Sequence, residues 1–472
     1  MPPDDLARLA KRLAGRLSST AAERLRTARD ASPAVGTPRA VVSPAHVRDV
    51  VTLVRWARRT GVPLTARAAG TSLDGESVPV DGGIVVDFGG LNRCRSIDPV
   101  ERIARVEPGL VNRDLQRRAA REGLFFPPNP GSSDRSTIGG NVATNASGPR
   151  SFRYGPTRAW VRGVSAVLGT GETVTWGTAA PKRSMGPDLA ALLVGSEGTL
   201  ALLTEIRVGL APLPERRLGL LVPWAPEQPW AGLLRFARGP DGRSLSALEY
   251  LDPRAAAALR GSVAGAGSAD HGLLLLEIES TEALEERRAL RGVERMLRSA
   301  GADGRILRFP DAEELWRIRG AAGSAIDPGG SPRVREDVAV PRARIDELRR
   351  RLDRIAAAEG VPMVLYGHLG EASLHPNFGV DPLSPKGRRI RAKILRAAQA
   401  LGGTASAEHG IGSIKRRFVP TEIDAPGLRV LRELKRIFDP DGILNPGKLY
   451  PPGGRAPSRS PSATAASGLR RG

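Results

Sequence analysis

Apolar and polar positions follow two different periods along this chain, and the switches between them mark out its elements. The charged, amphipathic opening predicts a helix over Asp5–Ala28, followed by a linker around Ser32–Pro38. Between Ser43 and Gly61, the apolar residues Val47, Val50, Val51 and Val54 fall on one helical face. Ser43 is the expected N-cap, Pro44 suits the first turn and Gly61 the C-terminal stop. Short apolar runs predict strands at Val62–Arg67, Ile84–Phe88 and Ile103–Val106, and a helix runs from Asn112 to near Gly123. Val161–Leu168 and Glu172–Trp176 flank Gly169-Thr170-Gly171, which predicts a hairpin. Asp188–Val194 reads as helical and Leu200–Val208 as a strand.

Pro212–Pro214 marks a domain boundary. Beyond it, the strands Leu218–Val222, Leu273–Glu279 and Pro362–His368 alternate with the helices Ala283–Ala300 and Arg342–Glu359. That order predicts an α+β architecture with a sheet covered by helices. Leu428–Phe438 closes the ordered pattern as a helix, and residues 451–472, rich in Pro, Ser, Ala and Arg, are expected to be a disordered tail.

One stretch breaks the pattern. Pro127–Tyr154 is crowded with Gly, Ser, Thr, Asn and Pro, and reads as a long loop between a helix and a strand. A loop of that length inside a domain is more often functional than idle. Gly139 and Gly140 remove two side chains in succession, so a ligand can approach the backbone, and Thr137, Asn141, Thr144, Asn145 and Ser147 surround the gap with neutral hydrogen-bonding groups. Three further short loops, Arg67–Ser72, Pro108–Gly109 and Gly195–Thr199, offer backbone N–H groups to a large ligand passing several strand ends. No lysine is followed by Ser or Thr and no Gly-x-Gly-x-x-Gly occurs, which excludes the Walker A loop and the standard Rossmann fingerprint.

Composition narrows the picture. The 472 residues suffice for two or three domains, and 40% apolar with 26% charged residues is a globular balance. The charged N-terminus lacks an apolar signal core and no apolar run reaches the ~18 residues of a membrane span, so the expected location is cytoplasmic, with peripheral association at the inner membrane face as a further option. A single cysteine, Cys94, excludes an internal disulfide and an all-cysteine iron–sulfur or zinc site supplied by this chain. The formal charge of +21 comes almost wholly from arginine, since only seven residues are lysine. These charges are dispersed and aromatics are only 4%, so no dedicated nucleic-acid surface is expected.

Of five histidines, His368, His375 and His409 lie close together in the chain. Read as a hairpin, VPMVLYGHLGEASLHPNF sets Tyr366 opposite His375 and His368 opposite Ser373, so that His368, His375 and Asn377 share one face. Glu408 then completes a set of two imidazoles and a carboxylate suited to a catalytic divalent metal such as zinc or manganese. His409 remains as a possible base.

Six motifs in order carry a resemblance: RAAGTSLDG (67–75), TIGGNVATNASG (137–148), GSEGTL (195–200), YGHLGEASLH (366–375), AEHGIG (407–412) and FDPDGILNPGK (438–448). From Thr37 to Tyr450 the chain resembles FAD-linked dehydrogenases of the vanillyl-alcohol-oxidase/para-cresol-methylhydroxylase superfamily. Its nearest likeness is to the glycolate oxidase, D-lactate dehydrogenase and D-2-hydroxyglutarate dehydrogenase branch. The resemblance implies an FAD-binding domain of two α/β subdomains over 36–211, after an N-terminal helix and linker over 1–35. A substrate domain with an antiparallel sheet covered by helices follows over 212–427, and a segment over 428–450 returns to the FAD domain. It implies contacts to FAD from Arg67, Ala68, Ala69, Gly70, Thr71, Ser72, Pro108, Gly109, Thr137, Gly139, Gly140, Asn141, Thr144, Asn145, Gly148, Glu197, Gly198 and Asn445. No histidine stands in these loops, so the cofactor is expected to be non-covalent.

The resemblance also implies that His368, His375 and Glu408 bind the metal and that Asn377 contacts the substrate. Arg319 and Arg335 are then expected to hold the substrate carboxylate, and His409 to remove the hydroxyl proton as hydride passes to flavin N5. The implied reaction is oxidation of a D-2-hydroxy acid to the 2-oxo acid. Electrons would then pass to a quinone, an electron-transferring flavoprotein or a separate iron–sulfur subunit. The alternative is a non-catalytic FAD-binding subunit of a larger oxidase complex. Three departures stand out. Ala68 replaces a usual glycine, Glu371-Ala372-Ser373 replaces Asp-Gly-Asn, and Gly323 replaces a hydroxyl residue.

Overall fold

The computed structural model describes residues 3–260, 269–302, 306–325 and 332–451. The expectation of a disordered tail falls, from residue 452 onward, outside these residues.

Three main sheets organise the chain. The first has the order Leu17–Ser18, Ala40–Val42, Ile84–Asp87, Leu64–Arg67, and its last three strands are parallel. The helix Val47–Thr60 packs Val50, Leu53, Val54 and Trp56 against it, together with Leu9 of the N-terminal helix Pro3–Arg12 and Leu13 just beyond that helix. The second sheet has five antiparallel strands in the order Cys94–Asp98, Ile103–Val106, Ala201–Gly209, Val161–Leu168, Thr173–Gly177. The third has eight antiparallel strands, with Arg216–Trp224, Gly272–Ser280, Leu245–Leu251, Met363–Gly367 and Ser373–Phe378 as consecutive neighbours.

Alternation along these strands decides which face each residue serves. Leu274 and Leu276 enter the large core beneath the helices Ala283–Ser299, Ile345–Glu359 and Pro385–Gln399. Leu273 and Leu275 instead meet Ala255, Ala256 and Leu315 of the helices Pro253–Arg260 and Ala312–Ala325 on the opposite face. The sheet is thus covered on both sides.

The structure corrects several sequence expectations. The helix expected over Asp5–Ala28 is two helices, Pro3–Arg12 and Ala21–Thr27, because Ala14 and Gly15 take positive φ of 47° and 79°. The next helix starts at Val47 with His46 as N-cap, not at Ser43: Asp49 Oδ2 accepts the N–H groups of Ala45 and His46, both at 2.9 Å. Asp188–Val194 contains only a 3-10 turn over Ala191–Leu193. The polar stretch Pro127–Tyr154 is not a continuous loop. It holds the helices Ile138–Thr144 and Ser151–Tyr154, the first capped by Thr137, whose hydroxyl accepts from Gly140 N at 3.2 Å.

That stretch also joins the two halves of the molecule. Phe152 belongs to the large core of the third sheet, and Tyr154 hydroxyl donates to Glu279 Oε2 of the strand Gly272–Ser280. At the other end of the chain, Leu64 N donates to Ile443 O at 2.8 Å and Asn445 N to Leu64 O at 2.7 Å, so the C-terminal segment borders the first sheet.

Candidate active site

Two connected cavities lie where the sheets meet. Arg67, Ala68, Ala69, Gly70, Thr71, Ser72, Pro108, Thr137, Gly139, Gly140, Thr144, Glu197 and Gly198 all line the first. Gly109 lies beside it, in a neighbouring hollow that shares Ala68, Ala69 and Thr137 with it. The second cavity measures about 920 Å³ and shares Ala69–Ser72, Gly140 and Thr144 with the first. Its far wall carries Arg319, Arg335, His368, His375, Asn377, Glu408 and His409.

Close backbone approach builds the near wall. A Cβ on Gly139 would lie 2.5 Å from Pro108 Cβ and 2.7 Å from Pro108 O, so only glycine lets the helix Ile138–Thr144 meet the Pro108 turn. Ala68, the departure from glycine, is not among the residues of positive φ and carries no left-handed strain; Gly70, with φ of 66°, makes the turn. Among residues lining the two cavities, Arg67 Nε, Glu76 Oε1, Ser136 Oγ, Asn141 Nδ2, Glu336 Oε2 and His375 Nδ1 are buried without a hydrogen-bond partner. Buried polar atoms are seldom left so, and a polar cofactor along the near wall would give Arg67, Glu76 and Asn141 the partners they lack.

Three residues expected at the cofactor serve the wall from behind and line neither cavity. Asn145 ends its helix with φ of 54°, and its Oδ1 accepts from Arg158 N. Gly148 passes close to Asn129 O, which a Cβ would approach to 2.2 Å. Asn445 is buried, and its amide donates to the carbonyls of Glu76 at 2.9 Å and Glu197 at 2.6 Å.

On the far wall, the hairpin pairs Tyr366 with His375, the register expected from the sequence. His368, His375 and Glu408 each place one ligand atom within 4.8 Å of the others. His368 Nε2 is 2.9 Å and His375 Nε2 3.3 Å from the same Glu408 oxygen, Oε1. Two imidazole nitrogens converging on one carboxylate oxygen form a donor set that fits zinc or manganese. Burial disfavours charge on His368, yet Glu249 and Glu408 outweigh it and raise its pKa well above the ordinary value. The Glu371-Ala372-Ser373 departure leaves the turn in a glycine-like shape, since Ala372 has φ of 54°. It also brings the half-buried Glu371 near the cluster, where desolvation pushes its pKa up to about 7.

His409 stacks on His375 with ring centroids 5.2 Å apart. Burial drives its pKa down to about 4 despite Asp337 nearby, so the ring is neutral near pH 7 and able to accept a proton. Asp337 Oδ2 accepts the backbone N–H of Glu408 at 2.7 Å and of His409 at 2.8 Å, and Oδ1 lies 3.5 Å from His409 Nδ1. Lys415, fully buried, bonds the same Oδ1 and lies 3.0 Å from Asp74. Asp74, Asp337 and His409 form a second cluster of potential ligands, but the Lys415 ammonium already supplies the cation there.

Arg319 lies with its guanidinium carbon 4.9 Å from the Tyr366 ring centroid and donates from Nε to Glu249 at 3.2 Å. Arg335 stands on the edge strand Val334–Arg335 opposite Asn377, whose amide is tied to His375 O at 2.8 Å. Gly323 falls in the helix Ala312–Ala325. Sequence reading missed Glu249, Asp337 and Lys415, and also Arg317 and Arg333, which line the larger cavity. The available signal was charge inside apolar runs, as in Ser246-Ala247-Leu248-Glu249-Tyr250-Leu251 and Glu336-Asp337-Val338-Ala339-Val340.

A glycine-lined cleft opening onto a histidine-rich wall fits a flavin-dependent oxidoreductase of the para-cresol-methylhydroxylase fold. Solved structures share that fold: p-cresol methylhydroxylase superposes with a TM-score of 0.78 at 15% identity over 96% of this chain and 98% of that one. The 4-ethylphenol oxidase of Gulosibacter chungangensis gives 0.76 at 18% identity over the same shares. Residues 38–177 match the FAD binding domain, and residues 234–449 match the C-terminal domain of FAD linked oxidases. The chain is 32% identical over 427 residues to the glycolate oxidase subunit GlcD of Bacillus subtilis, covering 88% of this chain and 89% of the relative. It is 33% identical over 439 residues to a D-lactate dehydrogenase of Archaeoglobus fulgidus, covering 89% and 94%. A D-2-hydroxyglutarate dehydrogenase of Stutzerimonas stutzeri is 29% identical, covering 88% and 91%. The chain belongs to the FAD-linked oxidase family, in the branch that contains these enzymes. No helix among the described residues is long and apolar enough to cross a membrane.

Proposed function

We propose that the protein oxidises a D-2-hydroxy acid of the glycolate, D-lactate or D-2-hydroxyglutarate class to its 2-oxo acid. One observation carries this reading: Gly140, Asn141 and Thr144 of the cofactor wall share a single cavity with His368, His375, Glu408 and His409. When bound, FAD supplies acceptance of a hydride and a divalent metal supplies Lewis acidity that lowers the hydroxyl pKa. The residues of the chain do the rest. Arg319 and Arg335 orient the substrate carboxylate, and Asn377 adds a polar contact beside them. His368, His375 and Glu408 hold the metal. His409 Nε2 takes the hydroxyl proton while Asp337 steadies the ring from the Nδ1 side.

Loop residues Arg67–Ser72 and the backbone around Gly139 and Gly140 hold the cofactor without a covalent bond. The acceptor is a quinone, an electron-transferring flavoprotein or a separate iron–sulfur subunit, since Cys94 is the only cysteine in this chain. The test is a panel of D- and L-2-hydroxy acids added anaerobically to the FAD-loaded protein. Bleaching of the flavin by a D-acid is expected, with its L-isomer inactive. A panel that leaves the flavin oxidised throughout overturns the reading in favour of a non-catalytic subunit.

A further inference from the structure

Glu249 lies in the strand Leu245–Leu251 with its side chain wholly out of solvent. A carboxylate in that position needs partners, and it has two from different elements. Its Oε1 is 2.6 Å from His368 Nδ1, and its Oε2 accepts from Arg319 Nε at 3.2 Å. Strand pairing aims it. Tyr250 faces Gly367 and Leu251 faces Tyr366, so the next step of the same register sets Glu249 opposite His368. Arg319 arrives from the helix Ala312–Ala325, pressed against Tyr366. Glu249 itself does not line the cavity.

We infer that Glu249 is a positioning residue that sets both the metal-facing tautomer of His368 and the pose of Arg319, so that one buried carboxylate couples the metal site to the substrate-carboxylate site. This rests on the function proposed above. An ionised carboxylate only accepts, so the proton shared with His368 sits on Nδ1. Nε2, 2.9 Å from Glu408 Oε1, is then the nitrogen that would give up its proton and present a lone pair to a metal. Holding Arg319 by Nε fixes the plane of its guanidinium against the Tyr366 ring. Asp337 does the parallel task for His409, but from the link between the short strands Val334–Arg335 and Val338–Ala339 and with Lys415 as its counter-ion.

The test uses the FAD-loaded protein and two readouts: zinc affinity by chelator competition without substrate, and KM for D-lactate at saturating zinc. Glu249→Leu is expected to weaken zinc binding by roughly 10- to 100-fold and to raise KM by roughly tenfold. Glu249→Gln has nearly the same shape but one acceptor oxygen, so it is expected to preserve one of the two properties and lose the other. Arg319→Met leaves the Glu249–His368 pair intact, so KM is expected to rise while zinc affinity stays at the wild-type level. Wild-type zinc affinity and KM in both Glu249 variants, with only the melting temperature lowered, would make Glu249 merely structural and overturn the inference. Failure of the metal reading itself is distinguishable, because it appears as absent zinc binding in the wild-type protein. Should Glu249→Leu not fold, the near-isosteric Glu249→Gln still decides between these outcomes.

Discussion

Arg150 and Glu277 form a buried, two-pronged ion pair across the junction of the FAD-binding region and the eight-stranded sheet, with contacts of 2.9 Å and 2.8 Å. The arginine comes from the polar stretch 127–154 and the glutamate from the strand Gly272–Ser280. Both side chains are almost completely shielded from water. Ser246 and Trp316 donate to the same carboxylate, so every oxygen of Glu277 is used. Removing the arginine alone strands a buried charge. Arg150→Met is therefore expected to lower stability by about 3–5 kcal/mol, measured by urea unfolding. Adding Glu277→Gln should recover part of that loss, and the two changes together cost less than their sum.

The same pair predicts a pH dependence. Burial favours the protonated form of Glu277, but Arg150 outweighs it and holds the carboxyl down at about 2, against its ordinary value of 4.5. A folded pKa below the unfolded one means that the unfolded chain binds the extra proton. The stabilisation is thus complete above about pH 4.5 and fades as pH falls toward 2, amounting to about 3 kcal/mol in all. Acid unfolding profiles of wild type and Glu277→Gln should converge over that window. Parallel profiles would show that the pair does not contribute in this way.

His409 and Asp337 should separate chemistry from binding. His409→Ala is expected to abolish flavin reduction in a single turnover with FAD still bound; normal reduction in that variant removes His409 as the base. Asp337→Asn keeps the volume but replaces an acceptor that serves His409 and Lys415. The expected loss in kcat is about 100-fold or more, with FAD content near wild type.

Gly139 and Gly140 are adjacent yet should respond in opposite ways. Alanine at 139 collides with Pro108, so about 1–3 kcal/mol of overpacking is expected, read as weaker retention of FAD on gel filtration and a lower melting temperature. At 140 the nearest atom is Thr137 Oγ1 at 3.4 Å, so the apoprotein accepts the methyl. Inside a helix that change should stabilise the apoprotein by about 0.5–1 kcal/mol. Because Gly140 lines both cavities, FAD affinity should nevertheless fall. Unchanged FAD affinity in Gly140→Ala would place the cofactor away from this wall.

The residues best read from sequence were those whose neighbours are local. The hairpin register that pairs Tyr366 with His375 follows from a short turn, and it carries His368 and Asn377 with it. Glycine loops were recognisable because backbone exposure leaves a compositional mark. Partners distant in the chain left no such mark. Glu249 meets His368, 119 residues away, only after their strands pair, and Arg319, 70 residues away, only once the helix Ala312–Ala325 packs on the sheet. Asp337 pairs with Lys415, which reads alone as one more basic residue in a basic chain. The polar stretch misled for a different reason: Thr137 caps a helix that its two glycines argue against, and packing on Pro108 overrides their low propensity. The opening helix failed where Ala14 adopts a left-handed turn usually left to glycine.

The return of the chain to its first sheet also sets a timetable for biosynthesis. Leu64–Arg67 is the edge strand of that sheet, and residues 443–445 cover its Leu64 end. Asn445 also braces Glu76 and Glu197 behind the cofactor cleft, and Ile443 and Leu444 fill the core beneath it. All of these residues are translated after the whole of the substrate-side sheet. While the nascent chain emerges, the nucleotide-binding half carries an open strand edge and an unsealed cleft. Loading of FAD is thus expected to be a late event, after the second domain has left the ribosome, and the exposed edge is the point at which a chaperone would have most to protect.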